Sequence, residues 1–193
     1  MTPTKLVALF VAVAGSLLYL NSYFSQPETW ESHNKKAVSA FRESRYAEAE
    51  KHFVRALELA ETSPDNDHRL SFSLNQLAEI YQVQSKFVEA GWVLKRSLAM
   101  DEKRFGPKHL NVALRLNNLA GNYRMRGEYE EAESLLKQAL KILEESLGKE
   151  HTLVANILEH YAYLLQKMGK PVEAQSLERR YKAIYSVQDS ENQ

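Results

Sequence analysis

Apolar residues along most of this chain recur every three or four positions, the period of an α-helix with one buried face. Leu116, Leu119, Ala120 and Tyr123 form one such stripe, and Tyr129, Ala132, Leu136, Ala139, Leu140 and Leu143 form the next. Between them stands Arg126-Gly127-Glu128, and a comparable break, Met168-Gly169-Lys170, follows a later stripe. Glycine accepts the left-handed conformation that ends a helix and Pro171 suits a first helical turn, so both breaks predict turns between paired helices. The pattern also repeats. SLNQLAEIY at 73–81 aligns with RLNNLAGNY at 115–123, an offset of 42. Leu158, Ala162 and Leu165 continue Leu116, Ala120 and Tyr123 at that offset, while Ala37, Tyr46, Ala49, Ala56 and Leu57 precede Ala78, Phe87, Ala90, Ser97 and Leu98 by 41. Four two-helix units are expected, near residues 30–63, 71–105, 113–147 and 155–186 of an all-α domain spanning 30–187. Ala78, Ala120 and Ala162, with Ala90, Ala132 and Ala174, are read as packing positions, because paired helices approach closely only where side chains are short.

Residues 6–20, LVALFVAVAGSLLYL, depart from this pattern: they are uncharged, carry no amphipathic stripe and precede the first unit. A spanning helix needs about 20 residues, a length reached by extending the run through Tyr23 and Phe24, aromatics suited to a membrane interface. The small pair Ala12 and Ala14 lies too early in the run for a signal-peptide cut. An uncleaved transmembrane anchor within residues 1–26 is expected, with a cleaved signal peptide and secretion as the alternative. Lys5 and the N-terminal amine should stay cytoplasmic by the positive-inside tendency, which places the helical domain on the non-cytoplasmic side, periplasmic in a bacterium. At the other end, residues 188–193 are polar and expected to be a disordered tail.

Charge narrows the partners. Lys+Arg and Asp+Glu both count 25, so the net charge is zero and the field that attracts nucleic-acid backbones is missing. The absence of cysteine removes disulfides, thiol catalysis and cysteine metal sites. No phosphate loop or dinucleotide fingerprint occurs, so no cofactor and no small-molecule substrate is expected. His68, His109 and His151 recur at offsets of 41 and 42, each expected on a separate inter-repeat loop. One metal ion cannot bridge such loops, which leaves these histidines a turn or helix-start role. His33, His52 and His160 are scattered, with no Ser or Asp at a spacing suited to nucleophilic catalysis. An enzyme is not expected.

The spacing of Ala78 to Ala90, with Tyr81, Leu94 and Ser97, resembles the tetratricopeptide repeat, whose usual period is about 34. The longer unit, with LNNLAGNY, GEYEEAESLLKQALKI, LGKEH and VA, is similar to the light-chain repeats of kinesin. This resemblance covers 30–186 and implies a right-handed superhelical solenoid that serves as a binding surface. Departures from the family pattern carry expectations of their own. Leu110 and Thr152 follow His109 and His151 where the family commonly has proline, so those turns should be less rigid. Glu178 takes the place of Phe53, Leu94 and Leu136, and Pro171 that of Tyr46, Phe87 and Tyr129, which reads as a terminal helix with a polar outer side.

By the same resemblance, Asn34, Asn75 and Asn117 occupy one position of the first helix that faces a concave groove, with Glu159 in the fourth unit. An amide offers donors and an acceptor, so a ladder of them can pair with an extended peptide backbone; the alternative is that each only bonds neighbouring helices. Glu79, Gln82, Arg124, Tyr163 and Lys167 should share the groove wall, with Val38, Phe41, Arg42, Val83, Gly121, Met125 and Gln166. Arg42, Arg124 and Lys167 are either carboxylate contacts or solvated charges. The sequence thus predicts a membrane-tethered adaptor that binds a partner peptide or helix. A structural subunit of an envelope assembly, docking through its convex face or last helix, is the alternative.

Overall fold

Short loops and strong helical periodicity leave the chain one arrangement, a series of antiparallel helix pairs. The computed structural model describes residues 28–62 and 67–191, and these are helical apart from their turns. The helices are α1 (Trp30–Arg42), α2 (Tyr46–Glu61), α3 (Asp67–Val83), α4 (Phe87–Phe105), α5 (Leu110–Met125), α6 (Tyr129–Leu147), α7 (Thr152–Lys167) and α8 (Pro171–Glu191). They pair in order, one hairpin per expected unit. α8 runs to Glu191, past Val187 where the polar tail was expected to begin. The apolar stretch at 6–20 lies outside the described residues; among those described, no helix is long and apolar enough to cross a membrane.

Helix starts follow from local chemistry. Thr29 Oγ1 accepts from the Ser32 N–H at 3.1 Å. His109 Nδ1 accepts from Asn111 N–H at 3.2 Å and His151 Nδ1 from Leu153 N–H at 3.1 Å, so both histidines cap helices, using orphan donors of the first turn. His68 differs: it sits inside α3 rather than on a loop, because that helix begins at Asp67.

Inside the pairs, Ala49, Ala90, Ala132 and Ala174 are fully or almost fully buried, and Ala37, Ala78, Ala120 and Ala162 face them from the first helices. Phe53, Leu94 and Leu136 fill the space beside them, while Glu178 at the fourth equivalent position is half-buried and accepts from Gln166 Nε2. The position that is apolar in the other second helices thus makes a polar contact to α7 in α8. His33 and His52, distant in sequence, face each other across α1 and α2 with Nδ1 atoms 3.0 Å apart. Burial pushes both imidazoles below their ordinary range, which keeps them neutral so that one can donate to the other.

Between α6 and the last pair, Glu133 gathers Lys137 at 2.6 Å, Lys170 at 2.9 Å and the Tyr161 hydroxyl at 2.9 Å. Hydrogen bonds from Lys137 and Lys170 outweigh burial and bring its carboxyl down to about 2. A carboxyl depressed on folding stabilises fully above its unfolded value of 4.5 and loses that contribution as pH falls towards about 2. Glu133→Gln should therefore flatten the acid limb of the stability curve in that window, by up to about 3 kcal/mol after screening, measured by urea unfolding at stepped pH.

The hairpin turns put residues 44, 85, 127 and 169 in the left-handed region, with φ of 59°, 58°, 78° and 72°. The last two are glycine, but the first two are Ser44 and Ser85, whose Cβ atoms are strained there. Ser44→Gly and Ser85→Gly should each raise stability by about 0.5 kcal/mol, relief of strain exceeding the entropy lost, and Gly127→Ser should cost a similar amount. Thermal unfolding of the three variants checks the sign.

Candidate functional site

The first helices α3, α5 and α7 lie side by side and enclose an open cavity of about 950 Å³, closed at its far end by Tyr181 and Glu178 of α8. Helical period brings the same face of each helix to its wall. Asn75, Glu79 and Gln82 come from α3, Asn117, Gly121, Arg124 and Met125 from α5, and Glu159, Tyr163 and Gln166 from α7. Six of the eight expected site residues therefore meet in one cavity. Asn34 does not: it stands on α1, half-buried, with Oδ1 enclosed and without a hydrogen-bond partner among the described residues. Lys167 is not part of the wall either, but its Nζ stands 5.3 Å from the centre of the Tyr163 ring.

Asn75 and Asn117 each have one end engaged. Asn75 Oδ1 accepts from Arg115 Nη1 at 2.8 Å, and Asn117 Oδ1 accepts from His160 Nδ1–H at 2.8 Å. These bonds run from α3 to α5 and from α5 to α7, so the carbonyl ends hold neighbouring first helices together. The Nδ2 groups of Asn75 and Asn117 donate to nothing among the described residues, which leaves hydrogen-bond donors on the cavity wall. The inter-helix use expected of the ladder is thus seen at the carbonyl ends of Asn75 and Asn117.

Arg115 is the residue that the repeat register did not reveal. Its Nε donates to Asp101 Oδ2 at 2.8 Å while Nη1 reaches Asn75, joining α5 to both α4 and α3. Its equivalents one repeat away are Ser73 and Ile157, so no recurring type marks the position. His160 was likewise read as scattered; its imidazole is pushed down by desolvation, with Glu159 opposing and Arg124 adding to the shift. Tyr163 carries two cations, Arg124 at 5.0 Å and Lys167 at 5.3 Å from the ring centre. Among the described residues neither cation has a carboxylate within ion-pair distance, so both are available to an acidic group; Glu79 and Glu159 balance them within the same cavity. No group of three metal-ligating side chains occurs among the described residues.

Asp101 is buried at 4% exposure and pairs with Arg115. Arg115→Leu should lower stability by about 3 kcal/mol because it leaves that carboxylate unpaired, whereas Arg124→Ala should change it by under about 1 kcal/mol. Denaturant unfolding of the full chain distinguishes the two.

Comparison with known proteins places this geometry. The family model described as tetratricopeptide repeat matches residues 29–90, 69–145 and 116–186. No curated protein matches the chain in sequence. Among solved structures, BtubC (BKLC) from P. vanneervenii is 22% identical, with a TM-score of 0.70, over 80% of this chain and 61% of its own. The chain thus spans less than two thirds of that protein. A putative kinesin light chain with nearly identical TPR-like repeats from Podosopora anserina is also 22% identical, with a TM-score of 0.75, over 96% of this chain and 90% of its own. MamA from Desulfovibrio magneticus RS-1 shares the fold at 13% identity and a TM-score of 0.64, over 84% of this chain and 79% of its own. Eight helices in register, alanines at each pair contact and a family match across every hairpin lead to one conclusion: the chain belongs to the tetratricopeptide repeat family.

Proposed function

We propose that this protein is a non-catalytic adaptor that holds an extended segment of a partner protein along the α3–α5–α7 cavity. The observation that carries this reading is the pair of Nδ2 donors of Asn75 and Asn117, set on the first helices of neighbouring pairs along one wall. An extended backbone presents carbonyls at regular intervals and can accept from both without regard to its side chains. Gly121 supports the same reading, because a Cβ built there would meet nothing within 4 Å, so the wall opens to a close backbone approach. Exposed Tyr163 and Met125 supply apolar contact beside the donors. Residues 1–26 tether the domain to a membrane in this account, with the helical pairs on the non-cytoplasmic side.

A second reading rests on Trp92, which is 67% exposed on α4, one turn from exposed Val88 and away from the cavity. An exposed tryptophan beside a valine suits permanent docking of the convex side in a larger assembly.

Gly121→Trp separates the two. A Cβ there meets nothing within 4 Å, so the indole would project into the cavity, and tryptophan is a better helix former than glycine. Full-length protein crosslinked in its native cells and recovered by affinity should lose at least about tenfold of its specific partner when Gly121→Trp is present, a loss of about 1.4 kcal/mol in binding. Trp92→Ala should leave recovery unchanged. The opposite result, loss with Trp92→Ala alone, would replace the groove reading with the convex one.

A further inference from the structure

Equivalent positions of successive repeats carry a ladder of ion pairs between second helices, and it is interrupted at one junction. At the first junction Glu50 of α2 meets Lys86, at the start of α4, at 2.7 Å, and Glu61 meets Arg96. At the third, Glu133 of α6 meets Lys170, at the start of α8, at 2.9 Å, and Glu144 meets Arg180 at 2.6 Å. Carried by the repeat offsets of 41 and 42 to the second junction, these two rungs fall on Gly91 with Glu128 and on Glu102 with Gln138. Neither combination is an ion pair. Glu128 pairs instead with Arg126 of its own turn at 2.6 Å, and Gln138 bonds back to Ser134 of its own helix at 3.4 Å.

Two further features meet at the same place. Asn122 of α5 is fully buried against Gly91, where an added Cβ would stand 3.1 Å from its Oδ1 and 3.5 Å from Arg126 Nη1, and neither end of the Asn122 amide has a hydrogen-bond partner among the described residues. Fully buried apolar residues are fewer here: one cluster joins α1, α2 and α3 and another joins α5 to α8, and the small group Ala78, Leu94 and Leu119 connects them through half-buried Val93, Leu98, Tyr123 and Leu135. Arg115 with Asp101 and Asn75 ties this junction at the opposite end of α4 from Gly91, and one turn from Gly91 the Lys95 Nζ stands 5.5 Å from the centre of the Tyr123 ring.

We infer that the α4/α5 junction is the hinge of this solenoid. The halves α1–α4 and α5–α8 pivot about the Arg115 contact, while the Gly91 end, lacking its own rung, opens and closes. Interrupted ties between rigid packed elements are where domain-scale motion concentrates. The hinge stands on these contacts alone. Its consequence, that bending changes the spacing of Asn75 and Asn117 and so the fit of an extended partner, rests on the groove reading.

The chain has no cysteine, so pairs of spin labels can be placed without background. Lys51, Trp92, Ser134 and Ser176 are equivalent, exposed positions on the four second helices, and each neighbouring pair spans one junction. Distance distributions measured by double electron–electron resonance on the full chain should be broadest for Trp92→Cys with Ser134→Cys. Gly91→Glu, which faces Arg126, should remove that excess width, and Glu50→Ala should broaden the Lys51→Cys with Trp92→Cys distribution. Equal widths at all three junctions would overturn the hinge, as would a Gly91→Glu chain of unchanged helicity and unchanged width. Should Gly91→Glu fail to fold, Glu50→Ala decides alone, and an unaltered first junction counts against the proposal. None of these outcomes depends on whether a partner binds the groove.

Discussion

The structure depends on how closely two helices can approach. Wherever a first helix meets its second, alanine stands on at least one side with essentially no exposure, as at Ala37 and Ala49 or Ala162 and Ala174. A larger side chain at such a contact would hold the axes apart and would be felt through a core packed at crystal density. Close pairs stacked in series leave the first helices side by side, and that arrangement alone creates the cavity. The cavity wall is therefore a by-product of packing, and its amides are placed by helical register.

Polar contacts then refine what packing sets out. Asn75 and Asn117 spend their oxygens on Arg115 and His160, which fixes the rotamers of the groups whose nitrogens remain on the wall. Such fixation lowers the ordering cost a partner meets on binding. The same economy explains the ends of the stack. α8 replaces the expected apolar residue with Glu178 and bonds it to Gln166. The second junction is the exception, where Gly91 and Gln138 withdraw the ties found on either side.

Most of the fold was legible because each repeat restates it. Alanine spacing, the Gly127 and Gly169 turns and the capping role of His109 and His151 all follow from residues that recur at one offset. What escaped notice lay in residues that occur once. Arg115 has no counterpart in neighbouring repeats, and His33 with His52 meet only after α1 and α2 fold back on each other. Asn34 shows the reverse fault: it keeps the register of Asn75 and Asn117, yet it falls outside the α3–α5–α7 cavity. Position within a repeat predicts direction, whereas membership of a cavity depends on how many neighbours stand beside it. Where α3 begins was also obscured, since no repeated residue marks Asp67 as a helix start.

The central claim, that one extended partner segment lies along the first helices, is tested most directly by mapping where a partner touches. A photoreactive residue placed singly at Gln82, Met125, Gln166 and, on the other side, Trp92 would report contacts in the full-length protein within its native cells. The account predicts that the three groove positions crosslink to consecutive stretches of a single partner chain, in order along its sequence, and that Trp92 does not. Crosslinks confined to Trp92, or groove crosslinks scattered over unrelated surfaces, would contradict it.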